Sequence, residues 1–159
     1  MSLSPETIVL LKKTPLFTSL SDERLQEIAA TGQEVTFQPG DDLIRQDALT
    51  DYLYVLLDGR VAIEIENVSK IGERGARSIL GELAMITQSP RNANCTAVTP
   101  VKAVQFKQKT FWPFVEQEPQ LAIGLLTEVT YHLDETIDAL NRMSKEVREL
   151  RAALDKLKK

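Results

Sequence analysis

Apolar and polar positions follow two periods along this chain. From Gln33 to Gln105 the spacing moves toward two, the mark of strands, and on either side of that stretch it is helical. Residues 4–13 read as a helix, with Ser4 as N-cap and Pro5 at the first helical position. After the Pro15-Leu16-Phe17 interruption, Ser21 caps a second amphipathic helix that places Leu25, Ile28 and Ala29 on one face, and Gly32 is expected to end it. Val35 and Phe37 then alternate, and Pro39-Gly40-Asp41 reads as a turn with positive φ at Gly40. Tyr52 to Leu57 is an unbroken apolar run, as expected of a strand buried on both faces. Asp58-Gly59 signals a hairpin into the alternating Val61, Ile63 and Ile65. The polar piece from Asn67 to Arg77 reads as a long loop, and Thr96–Val98 and Val101–Phe106 as two further strands around Pro100.

After Phe106 the period is helical again. Thr110 to Gln117 predicts a short helix, and Pro119 opens a long one that meets no further proline and has Gly124 as its weak point. Carried to Lys159 it would extend about 60 Å. Its second half carries a heptad, with Leu133, Leu140, Val147 and Leu154 at a and Thr136, Met143, Leu150 and Leu157 at d. A lone helix would leave that seam in water, so residues 140–157 are expected to pair, whereas residues 121–133 are better placed to cover their own domain. Glu146 at g and Arg151 at e stand five apart, the spacing of a g–e′ ion pair in a parallel two-stranded coil, so a parallel homodimer through the C-terminal helix is expected.

Many short strands with Gly and Pro turns between helical ends predict an α+β chain built on a double-sheet jelly roll, a double-stranded β-helix. Three segments follow: helical lead-in 1–32, jelly roll 33–107, and C-terminal helices with the coiled-coil dimerisation segment 108–159.

Composition narrows the function classes. A chain of 159 residues, 43% of them hydrophobic, has enough for one sizeable core. The formal net charge of −4 argues against a broad nucleic-acid surface. From Arg142 to Lys159 seven basic residues face three acidic ones, which reads as a solvated helix face. With the single cysteine, Cys95, there is no intrachain disulfide, no multi-cysteine metal site and no iron–sulfur cluster, and a cytoplasmic setting is the default. The single histidine, His132, falls on the long helix, where a surface or interface position is expected. No metal-ligand cluster or nucleophile–base pair stands out, so catalysis is not expected, nor is a resident cofactor or metal. Nothing approaches the length of a signal peptide's apolar core or a membrane span.

The segment richest in chemistry runs Gly81-Glu82-Leu83-Ala84-Met85-Ile86-Thr87-Gln88-Ser89-Pro90-Arg91-Asn92-Ala93. It closely resembles the phosphate-binding cassette of the cyclic nucleotide-binding domain family, of the catabolite activator protein and cAMP-dependent protein kinase regulatory subunit type. The Phe37-x-Pro39-Gly40-Asp41 turn and the Val55-Leu56-Leu57-Asp58-Gly59-Arg60-Val61 hairpin extend the resemblance across the roll, and Pro15-Leu16-Phe17 with Leu20-Ser21-Asp22-Glu23 extends it into the lead-in. The resemblance implies a non-catalytic regulatory domain that binds cAMP, or cGMP, and couples binding to its C-terminal dimer helix; the alternative is a dimerisation domain with a degenerate pocket, or the sensory fragment of a larger transcription regulator or transporter. Glu82 is then the acceptor for the ribose 2′-hydroxyl, and Arg91 the fork on the phosphate, which a lysine would not reproduce. Gly81 permits close approach or positive φ, and Leu83 and Ala84 begin a short helix whose free amides face the phosphate. Asn92 and Ala93 close the cassette, and Asn92 stands where the family usually has Ala, Ser or Thr. The Gly-Asp-x-Phe lead-in common in the family is replaced by Gly75-Ala76-Arg77-Ser78-Ile79-Leu80. Counting along the long helix, Thr136 falls where the catabolite activator protein contacts the adenine amino group, with Ile137 at the position of its cross-subunit serine. Many relatives place a helix-turn-helix after the long helix. That needs about 60 more residues, so DNA binding within this chain is not expected.

Overall fold

The computed structural model describes residues 2–158. Helices α1 (Pro5–Lys12) and α2 (Asp22–Ala29) both start on a serine whose hydroxyl accepts an amide of the first turn, Ser4 from Thr7 at 3.1 Å and Ser21 from Arg24 at 3.2 Å. Eight strands follow: β1 (Gln33–Phe37), β2 (Asp42–Ile44), β3 (Tyr52–Asp58), β4 (Val61–Ile65), β5 (Ser69–Arg74), β6 (Ile79–Leu80), β7 (Asn94–Ala97) and β8 (Val101–Lys107). The short α3 (Glu82–Thr87) lies between β6 and β7, and α4 (Gln108–Gln117) and α5 (Pro119–Leu157) complete the chain. The strands form two antiparallel sheets in the orders β1-β8-β3-β6 and β2-β7-β4-β5. This is the expected α+β jelly roll with helices before it and one long helix after it.

The apolar run of β3 is explained by its two faces. Leu53, Val55 and Leu57 point to a cluster shared with α1, α2, α4 and the start of α5, which includes Phe17, Phe106, Phe111, Leu121 and Leu125. Tyr54 and Leu56 point to the space between the sheets, among Ile44, Val61, Ile63, Leu80, Cys95 and Ala103. Strand β8 divides in the same way, with Val104 and Phe106 on the helical side and Val101 and Ala103 between the sheets. One sheet is therefore covered on both sides, as continuous hydrophobic strands require.

Two local expectations are corrected. The polar stretch from Asn67 contains β5, which pairs with β4 from Val61↔Arg74 to Ile65↔Ser69. It is an edge strand with a single apolar residue packed inward, Ile71, so it lacks the alternation of a half-buried strand. The turn into it is made by Asn67 at φ 59°, a left-handed position that asparagine tolerates. Helix α2 ends before Gly32: its C-cap is Ala30. Gly32 is needed for space, since a Cβ there would sit 2.7 Å from both Phe106 and Val104.

Helix α5 is continuous over 39 residues. It packs hard at its start, where a Cβ on Gly124 would lie 3.1 Å from Leu16 Cδ1. The position expected to be a weak point is thus one where α5 packs closely on the lead-in. Buried Leu121, Leu125 and Ala139 mark how far it covers the domain, and beyond them Leu140, Val147, Leu150, Leu154 and Leu157 stand exposed.

Candidate functional site

Strand β6 delivers the chain to Gly81, whose φ of 87° turns it sharply into α3. A side chain there would be strained by that backbone and would also collide with Arg91 Nη1 and the Tyr52 carbonyl, each 2.6 Å from its Cβ. The first intrahelical bond runs from Met85 N to Gly81 O at 3.2 Å, so the amides of Glu82, Leu83 and Ala84 precede the ladder. Gln88, left-handed at φ 55°, ends α3. Ser89 and Pro90 then lead to Arg91, whose amide and carbonyl are tied to Ala48 O at 3.0 Å and Asp47 N at 2.7 Å.

The Arg91 side chain is almost wholly buried, at 3% exposure. Its hydrogen bonds go to other groups than Glu82. Nε donates to Thr50 Oγ1 at 2.9 Å, Nη1 to Gly81 O at 2.9 Å and Nη2 to Tyr52 O at 2.5 Å. The cause is steric as well as electrostatic: the missing Cβ of Gly81 leaves the guanidinium room beside two carbonyls. A guanidinium carries five N–H groups, and these bonds use three, so two remain for a ligand. Burial draws the Arg91 pKa below its ordinary value, with Tyr54, Cys95, Glu82 and Asp51 opposing it.

Glu82, also buried, is engaged elsewhere. Its Oε1 lies 2.6 Å from Nδ1 of His132 on α5. His132 is therefore no surface residue: its side chain is 15% exposed, and its Nε2 faces Glu128 Oε2 at 3.8 Å. Burial raises the Glu128 pKa above its ordinary value, with His132 acting against the rise. One turn further along, Glu135 Oε2 stands 2.6 Å from Nη1 of Arg74 on β5, though not aligned for a hydrogen bond. The Arg74 side chain is 10% exposed and its Nε has no partner.

Arg91, Glu82, His132 and Arg74 line a cavity of about 320 Å³ between the second sheet, the cassette and α5. That lies at the small end of ordinary ligand sites, roughly 300–1,000 Å³. All the residues singled out from sequence line it: Gly81, Glu82, Leu83, Ala84, Arg91, Asn92, Ala93 and, across the opening, Thr136. Ile44, Ile63, Ile65 and Ile71 make its apolar wall, together with Cys95, whose thiol burial pushes up to about 12. The Thr136 hydroxyl donates to His132 O at 2.8 Å, so toward the cavity it offers lone pairs. Sequence reasoning missed Arg74, Val129, His132 and Leu133 in this wall. The signal for His132 is its position four residues before Thr136 and four after Glu128, one face of one helix.

Residues 34–118 match the family described as cyclic nucleotide-binding domain. The chain belongs to that family. It is 31% identical to the cAMP-dependent protein kinase regulatory subunit of Schizosaccharomyces pombe over 102 residues, 64% of this chain and 25% of that subunit. The chain thus spans about a quarter of that relative's length. A cyclic nucleotide-binding domain from Methylobacillus flagellatus superposes with a TM-score of 0.72 at 27% identity, covering 87% of this chain and 82% of the other. The N-terminal domain of a transcriptional regulator from Streptomyces coelicolor gives 0.63 at 32% identity, covering 82% and 93%. Among the described residues, no helix is long and apolar enough to cross a membrane, and no group of three or more His, Cys, Asp or Glu is placed to hold a metal ion.

Proposed function

We infer that this domain binds a 3′,5′-cyclic nucleotide, cAMP in preference to cGMP, and regulates by coupling that binding to α5. The observation that carries this reading is the buried Arg91 fork, with two N–H groups uncommitted, beside Glu82 in one cavity. Arg91 and the amides of Ala84 and Asn92 hold the cyclic phosphate, Glu82 accepts from the 2′-hydroxyl, and the isoleucine wall covers the base. Thr136, with its proton already given to His132 O, accepts from the exocyclic amine of adenine. Guanine has a carbonyl at that place and gains nothing there. Losing one member of a buried charge pair typically costs about 2–5 kcal/mol, roughly 30-fold to several thousand-fold in affinity.

Helix α5 links this cavity to the outside. Thr136 and Leu133 line the cavity and also lie on the exposed apolar seam, where Leu140 is 61% and Leu150 70% exposed. A second copy of the chain, parallel and in register, covers that seam and pairs Glu146 with Arg151 across it. Nucleotide shifts the pairing of α5 only by its differential affinity for the arrangements available. The lone buried thiol suits a reducing cytoplasm. Calorimetric titration with cAMP and then cGMP tests the reading. Saturable binding at micromolar concentration or below, tighter for cAMP, is the expected result. No heat of binding for either nucleotide at millimolar concentration would refute it.

A further inference from the structure

The carboxylate assigned to the sugar is held from the far side by a residue outside the cassette. We propose that His132 is a positioning residue for nucleotide binding: through Nδ1 it fixes the Glu82 side chain so that one oxygen is anchored and the other is presented to the ribose 2′-hydroxyl. The proposal rests on the assignment of Glu82 as the hydroxyl acceptor.

The geometry supports it in three ways. Glu82 Oε1 accepts from His132 at 2.6 Å, whereas Oε2 has no protein partner among the described residues and is not enclosed. A carboxylate only accepts, so the proton of this contact sits on Nδ1, and each oxygen still has a lone pair to spare. The His132 ring is itself largely enclosed, with its side chain 15% exposed and its other nitrogen facing Glu128 at 3.8 Å. A glutamate with three free torsions would otherwise lose side-chain entropy when it engages a ligand, and a fixed one loses less. The arrangement also joins the sugar acceptor directly to α5, 50 residues further along the chain.

The test is affinity for cAMP against 2′-deoxy-cAMP in the whole chain, with His132→Ala and His132→Asn. Asparagine keeps an N–H donor at the position of Nδ1. The wild-type protein should prefer the ribose form by about 10- to 100-fold, the usual worth of a hydrogen bond to a charged acceptor. His132→Ala should bring that ratio close to one by weakening cAMP alone, and His132→Asn should restore most of it. Should the alanine variant fail to fold, His132→Leu, which fills the space without a donor, takes its place. Equal weakening of both nucleotides would make His132 a packing residue and overturn the proposal. Tighter cAMP binding in the alanine variant would make His132 a competitor for Glu82 and overturn it equally. A folded asparagine variant as indiscriminate as alanine would also refute it. If the wild-type chain bound neither nucleotide, the assignment of the site would fall first and this proposal with it.

Discussion

Arg91→Ala should damage the protein before any ligand is added. In the structure its guanidinium joins three separate pieces of chain: the Thr50 hydroxyl, the Tyr52 carbonyl at the start of β3, and the Gly81 carbonyl at the turn into α3. A hydrogen bond from a charged donor contributes about 1.5–3 kcal/mol, while the Gly81 carbonyl keeps the Met85 amide when the guanidinium is gone. Against this stands the desolvation of the guanidinium, the leading cause of its lowered pKa, which alanine relieves. The Thr50 contact is exposed on its acceptor side and adds little. The two carbonyl contacts less the relieved burial leave a net loss of about 2–4 kcal/mol. For a chain of this length that is about 5–15 °C in melting temperature. Thermal melts of ligand-free wild type and Arg91→Ala by circular dichroism measure it directly. Near-identical melting temperatures would show that the guanidinium contributes nothing to the empty domain, and that burial cancels its hydrogen bonds. Loss of nucleotide binding in Arg91→Ala must therefore be read beside its stability. Arg91→Lys, which retains the charge but not the fork, separates the two effects better.

Three further outcomes are expected. The Glu34 carboxylate accepts from the buried Thr7 hydroxyl and from Ser4 N at 3.4 Å, and these contacts hold its pKa below the ordinary 4.5. A depressed folded value means stability present above about pH 4.5 and lost as pH falls through the lowered value. Glu34→Gln should therefore melt lower than wild type at about pH 6, with the gap closing toward about pH 3. With its pKa near 12 and its side chain in the cavity wall, Cys95 should resist iodoacetamide at about pH 8 in the native protein and react on unfolding, read by mass spectrometry. Replacing Leu140 and Leu150 with glutamate should turn a dimer into a monomer in sedimentation velocity without lowering nucleotide affinity more than a few-fold. A wild-type chain that sediments as a monomer at about 100 μM, a concentration ample for a specific interface, would sink the pairing of α5.

The legible parts of the chain were those whose physics is local. The Tyr52–Leu57 run, the serine caps and the turns at Gly40 and Gly59, with φ of 92° and 91°, each declare themselves within a few residues. The cassette was legible for the same reason: all but one of the expected site residues fall between Gly81 and Ala93, and Thr136 was reached by counting along a helix. Strand β5 was not legible, because an edge strand with one buried apolar residue has no alternation to display. Nor were the partners of Arg91, since the carbonyls of Tyr52 and Gly81 carry no mark in a sequence. The role of Gly32 depends on Val104 and Phe106, far along the chain, and that of His132 on Glu82, 50 residues earlier. A lone histidine on a helix offers no hint of which distant carboxylate it will meet.

Helix α5 has the mechanics of a lever. It is gripped near one end, where Gly124 meets Leu16, and no proline or positive-φ residue interrupts it from there to Leu157. At about 1.5 Å per residue, His132 lies about 12 Å from that fulcrum and Leu157 about 50 Å. By the same geometry, a sideways displacement of about 1 Å at His132 would arrive as about 4 Å at the far tip. On the proposed coupling, cavity rearrangements too small to disturb the packing of the roll would become, at the end of the rod, movements as large as a side chain.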